Sequence, residues 1–363
     1  MDLLGENNQG SQFIGITGTN GKSTVTALLG KIFSNSHLNI QIGGNIGYPS
    51  LGLRKLGKNG AYILEVSSYQ LELLSSIKFD IAILINISPD HISRHGSFRN
   101  YIKIKESIFK NQKDQDLAII GIDDKFSYEI YKRLKKKKRQ KVIPVSKNKK
   151  IPGGVYSSKG WLINDINLKK EKIIKIQRLK NITGSHNVQN VAAALAASWS
   201  SGINKKAILS SILKFKTLLH RQEIILEKNG ITFINDSKAT NIDSAVKALE
   251  NYKNIFWIAG GQSKNENFRK IIPFLKNVKH AFFLGETSNQ LHALLGKRLE
   301  SIESDNLKKA TAQAYNMAQE FLKDNKEKQA SVLLSPACAS LDQWKDFEER
   351  GNAFRKTVKE LTK

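Results

Sequence analysis

Residues 15–24, GITGTNGKST, place glycines at 15, 18 and 21 just ahead of Lys22 and Ser23. A short apolar strand, Phe13 to Ile16, precedes the turn, and a helix is expected from Lys22. Strand, glycine-rich turn and helix N-terminus together form a cradle for phosphate, because backbone N–H groups and the helix dipole both face the anion. Lys22 is placed to neutralise β/γ-phosphate charge, and the hydroxyl of Ser23 to ligate Mg²⁺. The strict P-loop pattern wants glycine six residues before the lysine, and Ile16 stands there. The reading therefore leans on the flanking elements. After the turn, Val25, Leu28, Leu29, Ile32 and Phe33 fall at i, i+3, i+4, i+7 and i+8, one apolar helical stripe.

Two further segments carry groups suited to phosphate chemistry. In AYILEVSSYQLE (61–72), Glu65 ends an apolar strand, and strand carboxyl ends are where open α/β sheets hold ligands. A carboxylate there can hold Mg²⁺ beside a phosphate loop. In NISPDHISRHG (86–96), His91 follows another buried strand and would project at the same edge. The next segment, FRNYIKIKESIFK (98–110), sets Tyr101, Ile104, Lys105, Ile108 and Phe109 on one helical face, with Lys103, Glu106 and Lys110 on the other. A lysine drawn onto an apolar face loses basicity and becomes nucleophilic enough to take up CO₂, giving a carbamate able to bind Mg²⁺. Each residue also has a plainer reading. A strand-end glutamate often caps or meets solvent, a loop histidine is often structural, and an interior lysine can snorkel.

The elements that must position these groups alternate strand and helix, as α/β domains do. Strands are expected at Ala61–Glu65 and Phe79–Ile87, short strands and lysine-rich turns over 117–180, and a small-residue helix at Val188–Trp199. A second stretch has strands at Thr232–Asn235, Ile255–Ala259, Ala281–Leu284 and Val332–Leu334, with helices over 305–323 and 342–361. It reads as a doubly wound domain. The chain of 363 residues is long for one domain; the boundary falls near 215–221, giving domains 1–217 and 218–363.

Composition narrows the classes. The chain is 40% hydrophobic and 25% charged, enough to bury a core, and no run approaches the ~18 apolar residues of a membrane span. The polar N-terminus, MDLLGENNQG, lacks signal-peptide character. The single cysteine, Cys338, excludes an internal disulfide framework and a multi-cysteine metal site, and a reducing cytoplasm is the default location. The net charge of +26 invites a nucleic-acid reading, but most of the excess is lysine spread over the whole chain. The dense cluster KRLKKKKRQK (132–141) has no aromatic residues or arginine fork for stacking or base reading, so it is read as a solvated helix end.

Taken together, these segments resemble the Mur ligases, the ATP-dependent amide-forming enzymes of peptidoglycan synthesis. The resemblance rests on TGTNGKST (17–24), GGNIGYP (43–49), LEVSSYQLE (64–72), NISPDHISRHG (86–96), GSHNVQNVAAA (184–194), HRQE (220–223), INDSKATN (234–241), GGQSK (260–264) and LLSPACASLDQWKDFEERGNAF (333–354). The pieces run in family order over nearly the whole chain. INDSKATN and the last two are similar to the member that adds D-glutamate. The resemblance implies a P-loop-type central ATPase domain followed by a Rossmann-like C-terminal domain. It implies transfer of D-glutamate to UDP-N-acetylmuramoyl-L-alanine through an acyl phosphate, with ATP and two Mg²⁺ ions, small-molecule substrates only, and a monomer.

Carried over by position, the resemblance gives Thr19, Asn20, Gly21, Lys22, Ser23 and Thr24 to the ATP phosphates. Ser23 and Glu65 would ligate Mg²⁺, and His91 with N6-carboxylated Lys105 a second ion; Lys22, His91 and Lys105 are the implied catalytic groups. Asn187 and Asn190 would lie against the adenine, and Arg221 and Asp236 would reach the nucleotide from the second domain. Lys238, Thr240, Lys264, Ser340, Leu341 and Phe347 would form the D-glutamate pocket, and Asn45 would meet the muramoyl-alanine substrate. Closure about residues 215–221 would bring nucleotide and amino acid together.

The family also has an N-terminal domain that holds the UDP end of the substrate. Here the phosphate loop begins by residue 17, which implies either a start assigned at an internal methionine or a truncated chain. Three rival readings follow: a crippled nucleotide-binding fragment, a folylpolyglutamate-synthetase-like ligase, and a nucleic-acid binder. The SPACASLDQWKDFEERG segment argues against the second, and Lys22, Glu65, His91 and Lys105 together argue against a decayed remnant.

Overall fold

Ile14, Ile16, Ile63, Ile83 and Ile119 are all fully enclosed, the signature of parallel strands covered on both faces. The computed structural model describes residues 1–179, 182, 184–215, 218–263, 267–324 and 329–362, and the chain divides into two compact units between residues 216 and 217.

The strands of the first unit are β1 (Gln12–Thr17), β2 (Asn39–Gly44), β3 (Gly60–Glu65), β4 (Ile81–Leu84), β5 (Leu117–Gly121), β6 (Lys141–Ser146), β7 (Val155–Ser158), β8 (Trp161–Asn164) and β9 (Glu171–Lys175). Its helices are α1 (Asp2–Asn7), α2 (Lys22–Ser34), α3 (Ser68–Leu73), α4 (Ile92–His95), α5 (Phe98–Glu106), α6 (Lys125–Lys137), α7 (Ser185–Ser200) and α8 (Lys205–Lys214). The sheet runs β2-β3-β1-β4-β5-β6-β7-β8-β9, parallel as far as β7 and antiparallel from β7 to β9. One face packs against α2, α7 and α8, the other against Leu4, Leu71, Tyr101 and the apolar side of α6. Because β1 has β3 on one side and β4 on the other, the strand order reverses at β1. Beyond the carboxyl end of such a switch point is where open α/β sheets bind ligands.

The second unit contains β10 (Glu223–Lys228), β11 (Ile231–Asn235), β12 (Ile255–Gly260), β13 (Val278–Leu284), β14 (Ser301–Glu303) and β15 (Ala330–Leu334), with α9 (Ile242–Asn251), α10 (Ser288–Leu295), α11 (Leu307–Asp324) and α12 (Phe347–Leu361). Its sheet order is β10-β11-β15-β12-β13-β14; only β10 runs antiparallel to its neighbour. Residues of α9 and α10 cover one face and residues of α11 and α12 the other. This is the doubly wound pattern expected.

Three local readings are corrected. The strand expected over Phe79–Ile87 is regular only at Ile81–Leu84, because Asp80 turns aside to accept from Phe13 N and Lys78 while Asn86 is diverted to the phosphate loop. The stretch 117–180 is not all short strands and turns: Asp124 caps Phe126 and Ser127 N–H groups and starts the 13-residue α6, whose Ile130, Tyr131 and Leu134 are buried. The last helix starts at Phe347, capped by Asp346, and residues 342–346 form turns ahead of it.

Candidate active site

At the carboxyl end of β1 the chain makes a tight turn into α2. Gly18 has φ +151° and Gly21 has φ +89°, conformations a side chain resists. A Cβ on Gly21 would lie 2.3 Å from Asn190 Oδ1, so the turn admits glycine only. Gly21 is the N-cap of α2 and gives it no side-chain cap; the helix N-terminus thus stands at the ligand edge of the sheet, where its dipole favours an anion. Lys22 folds back, its Nζ donating to Gly18 O and Thr19 O at 3.0 Å each. Ser23 is buried at the helix start, and Thr24 is half-buried beside it.

The turn is fastened to the β4–α4 loop. Thr19 N donates to Asn86 O at 2.9 Å, and Asn20 N donates to Asn86 Oδ1, also at 2.9 Å. Thr19 Oγ1 accepts from Ser88 N and lies 3.1 Å from Tyr101 Oη. Asn86 and Tyr101 were not singled out as site residues from sequence. The signal was present for Asn86, since it follows a buried strand at the ligand edge of the sheet.

Glu65 ends β3 and is buried at 2% exposure. Its Oε1 accepts from Asn45 Nδ2 at 3.0 Å, while Oε2 is buried without a hydrogen-bond partner among the described residues. A buried carboxylate oxygen left unsatisfied costs free energy, and a cation would satisfy it. Asn45, expected to meet substrate, is itself exposed and reaches that carboxylate. His91 has φ +53°; its Nδ1 lies 3.2 Å from Tyr69 Oη and its Nε2 3.5 Å from Asp90. Among the described residues no three His, Cys, Asp or Glu side chains form a ready-made cage. Magnesium that shares its shell between one or two carboxylates, a hydroxyl, phosphates and water needs no such cage.

Lys105 lies on the inner face of α5 at 1% exposure. Its Nζ donates to Thr17 Oγ1 at 2.9 Å and sits 5.5 Å from the Tyr101 ring centre. Burial, and then the charge of Lys22, hold its amine well below the usual lysine range; Asp90 and Glu65 oppose this. Lys22, Glu65, Asp90 and Lys105 thus share one electrostatic neighbourhood. In α7, Asn190 Nδ2 donates to Asn187 Oδ1 at 2.8 Å, and Asn190 touches the turn at Gly21.

In the second unit the expected residues that are described gather beyond the carboxyl ends of the adjacent strands β11 and β15. Asp236 is buried and accepts from Ser335 Oγ at 2.8 Å and Gln222 N at 3.1 Å. Burial raises its pKa to about 7, against those bonds and the charges of Arg221 and Lys247. Lys238 Nζ lies 3.6 Å from the Phe347 ring centre. Thr240 is half-buried, Ser340 buried, and Leu341 63% exposed. Lys264 lies outside the described residues. Arg350, missed from sequence, is buried and donates to Ser237 Oγ, Ser237 O, Cys338 O and Ala339 O. It therefore ties the Asp236–Thr240 loop to the 338–340 loop. Burial lowers its pKa to about 10.

The lysine cluster is better furnished than its sequence suggested. Tyr128 and Tyr131 stack at 6.0 Å one turn earlier in α6, with Lys132 and Lys149 over Tyr128 and Lys135 over Tyr131. The ammonium groups lie 5.2–5.6 Å from these ring centres, and Tyr128 remains partly exposed. A cavity of about 820 Å³ lies at the opposite, amino-terminal edge of the first sheet, lined in part by Asp2, Glu6, Lys78, Asp80 and Asp116. There Lys78 bridges Asp80 and Asp116. Its Lys78 and two aspartates pair with one another, whereas the positive-φ glycines, the unsatisfied Glu65 oxygen and the desolvated Lys105 lie at the carboxyl edge. No helix among the described residues is long and apolar enough to cross a membrane.

Comparison with known proteins gives a consistent result. The Mur ligase middle domain matches residues 16–198, and the Mur ligase glutamate ligase domain matches residues 220–338. The UDP-N-acetylmuramoylalanine–D-glutamate ligase of Rhodospirillum rubrum is 40% identical over 361 residues, 99% of this chain and 75% of that protein. Its namesake in Phenylobacterium zucineum is 39% identical over 350 residues, 96% of this chain and 74% of that protein. Among solved structures, the MurF ligase of Thermotoga maritima in complex with ADP is similar in fold, with a TM-score of 0.66 at 16% identity. It covers 99% of this chain and 82% of that one.

Proposed function

The chain belongs to the Mur ligase family, and from that premise we propose that it joins D-glutamate to UDP-N-acetylmuramoyl-L-alanine at the expense of ATP. The observation that carries this reading is the placement of Lys105, buried beside the phosphate loop and bonded to Thr17. A bare phosphate-binding turn has no need of a lysine desolvated at that position.

In the proposed reaction the alanine carboxylate attacks the γ-phosphorus, giving an acyl phosphate and releasing ADP. The amine of D-glutamate then adds to the acyl carbon, and the tetrahedral adduct expels phosphate and loses the amine proton as the amide forms. Two anions meet in the first step, so cationic groups dominate. Lys22 leaves its two loop carbonyls for the β/γ-phosphates, and the first turn of α2 receives the same oxygens. Mg²⁺, when bound, offsets the charge of the phosphates. Ser23 and the unpartnered oxygen of Glu65 fit one ion, and His91 with Lys105 a second. Lys105 fits that role as a carbamate: its weakly basic, neutral amine adds to CO₂ and sheds one proton, turning a buried neutral group into an anionic ligand. Asn187 and Asn190 face the nucleotide from α7.

The first unit is then the ATP-binding domain and the second the D-glutamate domain, where Arg221 and Asp236 serve the nucleotide. Lys238, Thr240, Lys264, Ser340, Leu341 and Phe347 serve the amino acid. A dicarboxylate needs a cation and hydroxyl donors, and lysine, threonine and serine supply them.

The test is phosphate release from ATP by the full chain with each substrate omitted in turn. Release that requires both UDP-N-acetylmuramoyl-L-alanine and D-glutamate, and that Lys22→Ala abolishes, is the expected result. Equal release with and without D-glutamate would overturn the assignment.

A further inference from the structure

We propose that Asn86 is the positioning residue of the phosphate loop, holding residues 18–20 in place so that Gly21 and the start of α2 are set to receive the anion, and thereby setting the affinity for ATP. The inference rests on the reading of that loop as the ATP site.

A turn built on glycine has little shape of its own. Gly18 and Gly21 hold φ values of +151° and +89°, and ordering such residues costs more conformational entropy than ordering others. Something outside the turn must hold it, and the structure shows what does. Asn86 grips the backbone of a single residue at two points: its Oδ1 accepts from Asn20 N at 2.9 Å, and its Nδ2 donates to Asn20 O at 3.1 Å. Its own carbonyl accepts from Thr19 N at 2.9 Å. Gly18 is packed against it closely enough that a Cβ would lie 3.3 Å from both Asn86 N and Asn86 O.

The chemistry of the clasp is specific. It requires one acceptor and one donor in a fixed plane on a short stem, which only a carboxamide offers. The partners also decide which amide atom is which, since Asn20 N can only donate and Asn20 O can only accept. The clasp itself is firmly mounted. Ile85 N donates to Thr17 O at 3.0 Å, Ile87 N to Asp124 Oδ2 at 3.2 Å, and Ser88 N to Thr19 Oγ1 at 3.0 Å. Because the clasp takes the Thr19 and Asn20 amides, recognition of the anion falls to the turn from Gly21 into α2. Asn86 thus shapes the site without touching the nucleotide.

The experiment compares the full chain with Asn86→Ala and Asn86→Asp, measuring the Kd for Mg·ATP by calorimetry and amide exchange across residues 18–24. Loss of the clasp is expected to raise the Kd by about tenfold, to speed exchange in that segment, and to leave the KM for D-glutamate within about twofold. The thermal midpoint should stay within about 3 °C. Asn86→Asp keeps the volume and the bond from Asn20 N but sets a carboxylate oxygen against Asn20 O, so it should weaken ATP binding as well. It decides the matter should the alanine variant fail to fold. An ATP Kd unchanged in the folded variants, or a loss spread equally over all substrates, would overturn the proposal alone. An unaltered chain that does not bind Mg·ATP would overturn it together with the reading it rests on.

Discussion

Lys105 Nζ donates to Thr17 Oγ1 at 2.9 Å, and that hydroxyl in turn donates a hydrogen bond to the Val66 carbonyl at 2.8 Å. The relay has one direction: with its proton committed, Thr17 can only accept, so the amine is held by its N–H at the end of β1. Removing the amine removes the group proposed to become a carbamate. Lys105→Ala should lower substrate-dependent phosphate release by at least about a hundredfold. Short carboxylates such as acetate or propionate, small enough for the vacated space, should restore part of it. Full activity of the variant without additive would refute the role.

Gly21→Ala tests the turn itself. At φ +89° a side chain is strained by about 1–2 kcal/mol, and the added carbon would meet Asn190 Oδ1 at 2.3 Å. Both the turn and the Asn187–Asn190 pair must shift. The variant is expected to keep its secondary structure by circular dichroism while Mg·ATP binding falls by more than about tenfold. Unchanged ATP affinity would show that the turn does not shape the nucleotide site.

The strands, the apolar stripe of α2 and the burial of Lys105 were legible because each follows from local periodicity. Lys105 in particular falls on the stripe with Tyr101 and Phe109, and both are buried with it. What was hidden depends on pairs distant in sequence. Asn86 meets Asn20 across 66 positions, and Arg350 meets Ser237 across 113; no pattern along the chain encodes such meetings. The aromatic setting of the lysine cluster was missed for a narrower reason. Tyr128 lies one helical turn ahead of the cluster, and Lys149 reaches it from the loop after β6.

Asp236 makes stability depend on pH. Its folded pKa of about 7 lies above the ordinary 3.8, so between those values the native state holds a proton that the unfolded chain has released. Stability from this group is therefore present below pH ~4, declines as pH rises towards 7, and is level beyond it, a change on the order of 2–4 kcal/mol. Asn at this position still accepts from Gln222 N and can donate to Ser335 Oγ. The difference in unfolding free energy, native sequence minus Asp236→Asn, should fall across pH 4–7 in denaturant titrations. A difference independent of pH would place the carboxyl in its ordinary range and sink the assignment.

Arg350 is a buried cation whose partners, Ser237, Cys338 and Ala339, are all neutral. No carboxylate lies within ion-pair distance of it among the described residues. Burying a charge with only the more distant Asp342 as counter-charge is costly. The expense is understandable if the loops it joins await an anion. Those loops carry Lys238 and Ser340, assigned to the amino-acid substrate, so the positive potential would favour a dicarboxylate. Lysine keeps the charge but cannot reach both loops with a planar fork. Arg350→Lys is therefore expected to raise the KM for D-glutamate by about tenfold or more, with Mg·ATP affinity within about twofold of the native value. A purely structural arginine would instead lower the thermal midpoint and degrade both substrates alike. That outcome in steady-state kinetics, or an unchanged D-glutamate KM, would separate Arg350 from recognition of the amino acid.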